Sequence, residues 1–358
     1  MNTRSLAIVS AISLLVACGG TDASPSPDIV TKTDATYRAE ITTEVQRTLL
    51  VDIRGLIDAS KAICAAAPVV HGRGWSAALD REAIANMKNA WYRARTAYEH
   101  IEGALATLFP EIDKSIDYRY DDFLADLGAA GDSTPFDAEG VTGMHAIERI
   151  IFSDVTPQRI IDVEKTIPGY TAARFPQDEM EALAFQAELC AKLVSDARNL
   201  ETQWSPQNIG LPDAYQGLVR LMTEQREKVT RASSSEEESR YAQTTMADLR
   251  ANLEGTRRVY EAFRPWLKSH PDGSSIDTRV VSGFESLSQL YSGYLGDALP
   301  PVPATWSSEN PSPADRATPF GTLWTQVRAT VDPNRSDSLV QGMNEVAVAL
   351  GIGDFKTQ

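Results

Sequence analysis

Apolar residues recur at intervals of three, four or seven positions along most of this chain, which is the spacing of one face of an α-helix. The first long run extends from about Asp34 to Ala66 and ends before Pro68. Its apolar face consists of Tyr37, Ile41, Val45, Leu49, Ile53, Leu56 and Ile63. Runs of β-branched residues are few, so the pattern predicts an all-α body.

The same period resumes in later segments that are separated by prolines and polar turns. We expect further helices at about 80–109, 121–127, 145–152, 177–204, 213–233, 240–268, 284–295, 320–331 and 336–350. Asp80 is a favourable N-cap for the first of these. Residues 299–319 contain six prolines and are predicted to form an extended loop. The run Ser-Ser-Ser-Glu-Glu-Glu at 233–238 is interpreted as a solvated charged loop.

The length of the chain, 358 residues, exceeds what one simple hydrophobic core usually holds, so we expect two bundles, at about 34–205 and 206–358. Two short motifs recur in the same order. R-x-x-Y-E stands at 95–99 and 257–261, and I-D-x-R stands at 116–119 and 276–279, at offsets of 162 and 160 residues. The near agreement of the offsets indicates an internal pseudo-repeat.

The first 17 residues have the pattern of a bacterial lipoprotein signal peptide. Arg4 precedes an apolar run, and small residues lead to Cys18, whose thiol we expect to be acylated after cleavage. An ordinary secretory signal with an incidental cysteine is the alternative. Residues 18–33 are small, polar and proline-bearing, and read as a flexible tether. The expected location is the cell envelope, with the body lipid-anchored to the outer or inner membrane and facing the periplasm.

Charge and cysteine content narrow the classes of partner. The net charge is −15, which argues against nucleic acid as a partner. No second apolar run reaches the roughly 20 residues of a membrane span.

Cys64 and Cys190 lie in a chain that is predicted to be exported, to a compartment where disulfides persist, so we expect them to pair. Two separately buried thiols are the alternative.

Residues 143–148 read Gly-Met-His-Ala-Ile-Glu, a G-x-H-x-x-E string at the start of an apolar segment. On a helix, positions i and i+3 share one face, so the imidazole of His145 and the carboxylate of Glu148 can converge on one metal ion. The same spacing also arises by chance in many helices. His71, His100 and His270 lie in predicted loops or on a polar face, and no role is expected for them.

The second helix has an apolar seam that contains two charged residues. Its members, spaced by four and three, are Trp91, Arg95, Tyr98, Glu102, Leu105 and Phe109. Because buried charges must be paired or coordinated, we predict a metal site of Glu102, Asp117, His145 and Glu148, with Arg95 orienting a carboxylate or holding an anion. A buried network without an ion is the alternative for Arg95 and Glu102, and a helix or turn cap is the alternative for Asp117.

Three carboxylates and one imidazole suit a hard cation. Such a ligand set suits iron or manganese, can accept zinc or calcium, and disfavours copper(I). Asp121 and Asp122 are expected only to solvate the start of a helix. The repeat places Arg264 at the position of Glu102, so the second half of the chain is predicted to lack the site.

These features together resemble the imelysin-like family. The resemblance rests on A-x-x-x-Y-E-x-I-E at 94–102, I-D-x-R at 116–119, G-x-H-x-x-E at 143–148 and the lipoprotein signal. It extends from about Asp34 to the C-terminus and is strongest to the EfeO/EfeM branch of periplasmic iron-uptake proteins. The match is closer to EfeM, because residues 19–33 are too short for the N-terminal cupredoxin-like domain of EfeO. Met144 stands where an aromatic residue is common in relatives.

The resemblance implies a fold and a set of roles. The fold is a pair of antiparallel four-helix bundles, with the metal-binding pair His145 and Glu148 in a cleft. Glu102 and Asp117 become further acidic ligands, and Arg95 becomes a supporting residue. The implied function is non-enzymatic: an iron-binding lipoprotein that passes its ion to an inner-membrane iron permease or a peroxidase-like partner.

Two other functions remain open at the level of the sequence. A metallopeptidase of the imelysin type needs a metal-bound water and a carboxylate that acts as general base, for which Glu148 or Glu102 is available. A haem-binding protein needs an axial ligand in an apolar slot, for which Met144 or His145 is available, but the acidic surroundings argue against haem.

Overall fold

The computed structural model describes residues 32–118 and 134–355. The α-helices of these residues are, in chain order, α1 (Asp34–Ala66), α2 (Arg81–Leu108), α3 (Pro110–Ile116), α4 (Met144–Ile151), α5 (Gln158–Glu164), α6 (Glu179–Ala184), α7 (Cys190–Gln203), α8 (Leu211–Arg231), α9 (Thr245–Lys268), α10 (Gly273–Ser292), α11 (Pro313–Arg316), α12 (Pro319–Val331) and α13 (Leu339–Ala349). A π-helical turn, Phe185–Leu189, joins α6 to α7. None of the described residues forms a β-strand, so the all-α prediction is confirmed.

Helix α2 lies at the centre of the packing. It contacts α1 along its length and also packs against α8 and α9, which come from the second half of the chain. One hydrophobic core therefore runs through both halves, and the described residues from Asp34 onward form one packed unit. The expected boundary near residue 205 does not interrupt this core, and the division into two bundles stays a prediction.

Several helix bounds differ from the expected ones for identifiable reasons. The helix expected at 284–295 already begins at Gly273, and Val280 extends the buried face of Phe284 and Leu287 towards its N-terminus. A Cβ at Gly273 would lie 1.8 Å from the Leu267 carbonyl oxygen, so this close approach needs glycine. The helix expected from Arg240 begins only at Thr245, because Gln243 has a φ of 58° and interrupts it.

Three short helices were not expected, and one of them, α11, lies within 299–319, which was predicted to be an extended loop. Pro110 opens α3 rather than only ending α2, since proline is well tolerated at the first position of a helix. Helix α5 forms between the helices expected at 145–152 and 177–204, where no helix was expected. The expected helix at 121–127, with Asp121 and Asp122, and the signal peptide with Cys18 lie outside the described residues.

A disulfide between Cys64 and Cys190 links the end of α1 to the start of α7, with the two Cα atoms 5.6 Å apart. The cross-link joins two cysteines that are 126 positions apart in the sequence. Among the helices that the structure describes, none is long and apolar enough to cross a membrane.

Candidate metal centre

The buried face of α2 carries three charged side chains. Arg95 is 1% exposed, Glu99 is fully buried and Glu102 is 9% exposed, which confirms that the seam predicted for this helix is interior. Trp91 and Tyr98 flank them on the same face. Because an unpaired charge in a core is costly, each of these side chains needs partners from other parts of the chain.

Gly143 determines how α4 meets the end of α3. Its φ is 87°, and a Cβ at this position would lie 2.7 Å from the Ile116 carbonyl oxygen and 2.9 Å from that of Ser115. Only glycine allows this backbone conformation and this approach. The contact brings His145, in the first turn of α4, next to Asp117, which directly follows α3. At the glycine of the G-x-H-x-x-E string, the backbone before α4 therefore packs directly against the backbone at the end of α3.

The two ring nitrogens of His145 have different surroundings. Nδ1 lies 2.9 Å from Glu148 Oε2, while Nε2 lies 3.3 Å from Asp117 Oδ1 and 3.9 Å from Glu238 Oε1. A carboxylate at Nδ1 favours the tautomer that carries its proton there. The lone pair of Nε2 then faces Asp117 and Glu238. The geometry makes His145 Nε2 a candidate ligand for an ion between these two carboxylates.

Glu148 holds His145 and does not itself reach this position. Its Oε2 bonds the imidazole, and its Oε1 accepts hydrogen bonds from the backbone N–H groups of Tyr241 at 3.0 Å and Ala242 at 2.8 Å. Both oxygens are therefore engaged. Glu148 was predicted as a direct ligand; in the structure its two oxygens contact the imidazole of His145 and the two backbone N–H groups.

Glu238 completes the cluster and was not predicted from the sequence. Among the described residues, Asp117, His145 and Glu238 each place one ligand atom within 4.8 Å of the other two. The interpretation of 233–238 as a solvated loop is wrong at its end, since Glu237 is 4% exposed and the side chain of Glu238 is 17% exposed. Ser239 anchors the segment through a 2.6 Å hydrogen bond to Asp248.

Two basic side chains pair with the carboxylates of this region. Arg95 donates to Asp117 through Nη1 and to Glu238 through Nη2, the latter at 2.8 Å, and it also pairs with Glu99. Lys228, on α8, donates to Glu102 at 2.9 and 3.2 Å. Arg95 thus lies beside two of the clustered carboxylates, and its supporting role stays a prediction.

Glu102 lies apart from the three-residue cluster. Its oxygens accept from the ammonium group of Lys228 and, at 2.8 Å, from Asn252 Nδ2. The Glu102 carboxylate is therefore paired with the ammonium group of Lys228. The sequence had predicted it as a metal ligand.

Burial and neighbouring charges set the protonation of these groups. Burial acts to raise the pKa of Glu238, but Lys228 and Arg95 outweigh it and lower that pKa to about 2. Burial also acts to lower the pKa of His145, yet the Asp117 carboxylate and the Glu148 hydrogen bond raise it. Burial raises the pKa of Glu99 well above its usual value and that of Asp248 to about 7.

The cluster opens onto a cleft of about 340 Å³. Asp117, His145, Glu238, Glu102 and Lys228 all contribute to its wall. Since one water occupies about 30 Å³ of liquid, the cleft has room for an ion with several of its hydration waters. The cleft gives a cation access to the Nε2 atom of His145.

The other histidines lie outside this cluster. His100 Nδ1 lies 2.9 Å from Asp52 Oδ1, and His71 Nδ1 lies 3.0 Å from Glu179 Oε1 at the surface. His270 Nδ1 lies 3.0 Å from the Trp266 carbonyl oxygen.

One of the missed residues had a usable signal in the sequence. On α8, Leu218, Leu221, Met222 and Gln225 form a buried face, and Lys228 continues it at the same spacing. A lysine in an apolar seam is the same signal that singled out Arg95. Glu238 had none, because it precedes α9 in an irregular segment where period carries no information.

Comparison with known proteins gives the following matches. Residues 42–318 match the family described as imelysin, peptidase M75. The chain is 26% identical over 226 residues to the iron uptake system component EfeM of Pseudomonas syringae pv. syringae strain B728a, covering 63% of this chain and 65% of EfeM. It is 26% identical over 275 residues to the iron uptake system component EfeO of Escherichia coli K12, covering 76% of this chain and 60% of EfeO.

The matched region thus spans less than two thirds of the length of either relative. Among solved structures, an imelysin-like protein from Psychrobacter arcticum 273-4 superimposes with a TM-score of 0.60 at 12% sequence identity. The superposition covers 90% of this chain and 99% of the other. The two proteins therefore share a fold.

Proposed function

The chain belongs to the imelysin family, and from this membership and its metal centre we propose that it is an iron-binding component of an uptake system. The ion is its cargo, Fe²⁺ or Fe³⁺, held by His145 Nε2 and by carboxylate oxygens of Asp117 and Glu238. Glu148 orients the histidine and Arg95 orients the two carboxylates. The protein acts by binding and handing over the ion, without catalysing a reaction.

The observation that carries the proposal is the position of His145. Its Nδ1 is engaged by Glu148, and its Nε2 lies 3.3 Å from one carboxylate and 3.9 Å from another. A site with one imidazole and several hard oxygen ligands suits iron or manganese, and such a site can also accept zinc or calcium. The cleft leaves room for waters or further ligands around the ion.

The balance of charge supports a cation as the cargo. Asp117, Glu238 and Glu148 surround the position, while Arg95 is the basic side chain that contacts both ligand carboxylates. A cation placed among them would offset the remaining negative charge, which is otherwise costly in a buried site.

The location and partners follow from the N-terminal sequence and from the names of the relatives. We propose that residues 1–17 direct export, that Cys18 carries the lipid, and that the helical body faces the periplasm. The relatives EfeM and EfeO are named as iron uptake components. An inner-membrane iron permease or a peroxidase-like protein would then receive the ion.

The test is calorimetric titration of the full chain with Fe²⁺ under anaerobic conditions. His145→Ala removes the nitrogen ligand and should weaken binding by more than about 100-fold, because even residues that only orient a ligand contribute about 10–100-fold. His100→Ala is the matched control, since it removes another histidine that contacts an aspartate, at 2.9 Å. Equal iron binding by wild type and His145→Ala would reject the proposal.

The metallopeptidase alternative gains no support from the site. A hydrolase needs a general base that is not consumed by other contacts. Both oxygens of Glu148 are engaged, and Glu102 is paired with Lys228. Peptide cleavage by the iron-loaded or zinc-loaded protein would revive this alternative.

A further inference from the structure

Lys228 lies inside a shell of carboxylates. Its side chain is 6% exposed, and its Nζ lies 2.9 Å from Glu102 Oε2, 3.5 Å from Glu99 Oε2 and 3.6 Å from Glu238 Oε2. Three carboxylates around one buried ammonium group form an environment that would also suit a metal cation. The role of this lysine is not explained by helix packing alone.

Glu238 belongs to both positions. Its Oε1 faces His145 Nε2 at 3.9 Å, and its Oε2 faces the ammonium of Lys228 at 3.6 Å. In two-metal sites the ions lie about 3.5–4 Å apart, and helical bundles build such sites from carboxylates on facing helices. Here one carboxylate lies between the candidate metal position and an amino-acid cation.

The shell around Lys228 is held by other contacts as well. Asn252 Nδ2 donates to Glu102 Oε2 at 2.8 Å and also to Glu99, and Arg95 pairs with Glu99 and Glu238. The carboxylates would therefore keep their places if the lysine side chain were lost. A preorganised group of carboxylates without its cation binds another cation or takes up protons.

We propose that the ammonium group of Lys228 occupies the position of a second cation and thereby restricts the centre to one metal ion per chain. The inference rests on the proposed metal site at Asp117, His145 and Glu238. It makes Lys228 a residue that determines the stoichiometry and the nuclearity of the bound metal. The ion is then held singly, as suits a protein that must release it.

The test uses Mn²⁺ alone, with the full chain, by equilibrium binding and electron paramagnetic resonance. Wild type should bind one Mn²⁺ with an uncoupled spectrum. Lys228→Gln keeps a hydrogen-bonding side chain but removes the cation, and it should bind two Mn²⁺ with an exchange-coupled spectrum. Lys228→Arg retains a cation and should bind one. Lys268→Gln is the matched control, because it removes a lysine that lies 3.0 Å from Asp277, and it should also bind one.

A second variant keeps the test decisive if Lys228→Gln does not fold. Glu102→Gln removes a carboxylate that contacts the ammonium and leaves the three ligands untouched. Its affinity for the single Mn²⁺ should fall by less than about tenfold, which is below the effect of a residue that orients a ligand. A loss beyond about 100-fold would show that Glu102 is itself a ligand and would overturn the inference.

The two proposals fail in different ways. If wild type binds one Mn²⁺ and folded Lys228→Gln also binds only one, the inference about Lys228 is wrong and the metal site stands. If wild type binds no Mn²⁺ or iron, the metal site itself is wrong, and the inference that rests on it falls too.

Discussion

Asp117 and Asp277 stand in matching I-D-x-R motifs, yet their surroundings differ. Asp277 is enclosed by Arg264 at 2.7 Å, Lys268 at 3.0 Å and the hydroxyl of Tyr260 at 3.0 Å. Asp117 shares Arg95 with three other carboxylates, Glu99, Glu238 and Asp248, and it also faces His145. One carboxylate is neutralised by resident cations, while the other belongs to a group in which acids outnumber bases.

The tyrosines of the two R-x-x-Y-E motifs account for part of the difference between Asp117 and Asp277. Tyr260 donates to Asp277, but Tyr98 donates to Asp113 at 2.7 Å, one turn before Asp117. By its hydrogen bond, Asp277 therefore corresponds to Asp113. Asp117 is left available to the histidine. The candidate metal centre therefore lies where carboxylates outnumber the cations and hydroxyl groups that contact them.

The largest difference is expected on removing the arginine of each region. Arg95→Met leaves Asp117, Glu99 and Glu238 without their shared cation, and loss of one partner in a buried network costs about 3–5 kcal/mol. Arg264→Met should cost about 1 kcal/mol, because that side chain is partly exposed and Lys268 remains beside Asp277. Urea unfolding of the two variants measures both values. Equal losses would contradict the distinction between the regions.

The next difference concerns stabilisation by metal. At a free metal concentration about 100 times Kd, binding to the folded state should raise the free energy of unfolding by about 2.7 kcal/mol. Asp117→Asn should remove this gain. Asp277→Asn should keep it, since that carboxylate is bound by Arg264 and Lys268. Thermal unfolding with and without Mn²⁺ makes the comparison, and a gain that survives in Asp117→Asn would show that the ion binds elsewhere.

The amino-acid sequence predicts the fold of this chain better than it predicts the residues of the candidate metal centre. The apolar period predicted the all-α class and most long helices, because a buried helical face must repeat. It also identified Arg95 as a buried charge that needs a partner. It could not identify Glu238, because that residue lies in an irregular segment and reaches His145 only through tertiary packing. The Lys228–Glu102 pair joins residues 126 positions apart, which no local pattern records.

A third comparison uses two glycines with positive φ. Gly143→Ala should cost about 2 kcal/mol and weaken metal binding, because the residue is strained and its Cβ would meet the Ile116 carbonyl oxygen at 2.7 Å. Gly296→Ala, at a φ of 80° with nothing within 4 Å, should cost about 1 kcal/mol and leave binding unchanged. Unfolding and Mn²⁺ titration of both variants separate strain from displacement of α4. Unchanged binding by Gly143→Ala would mean that α4 tolerates the shift.

The smallest expected effect concerns how the stability of the metal-free protein depends on pH. This dependence should differ between the surroundings of His145 and those of Asp277. The pKa of His145 is raised, although burial opposes this, because Asp117 and Glu148 favour its charged form. Its contribution to stability is therefore complete below the usual value of 6.5 and is lost as the pH rises through the raised pKa. The pKa of Asp277 is lowered, because its hydrogen bonds from Arg264, Lys268 and Tyr260 outweigh burial. Its contribution is present above 3.8 and is lost as the pH falls.

Urea unfolding across this range, for wild type, His145→Gln and Asp277→Asn, checks the two opposite slopes. The deficit of His145→Gln relative to wild type should shrink on the alkaline side, and that of Asp277→Asn should shrink on the acidic side. Excess Mn²⁺ should reverse the trend for His145 alone, because a metal ligand must be unprotonated at Nε2. If Mn²⁺ changed the slope of Asp277→Asn as well, the second region would also hold a cation, and the difference between the two aspartates would disappear.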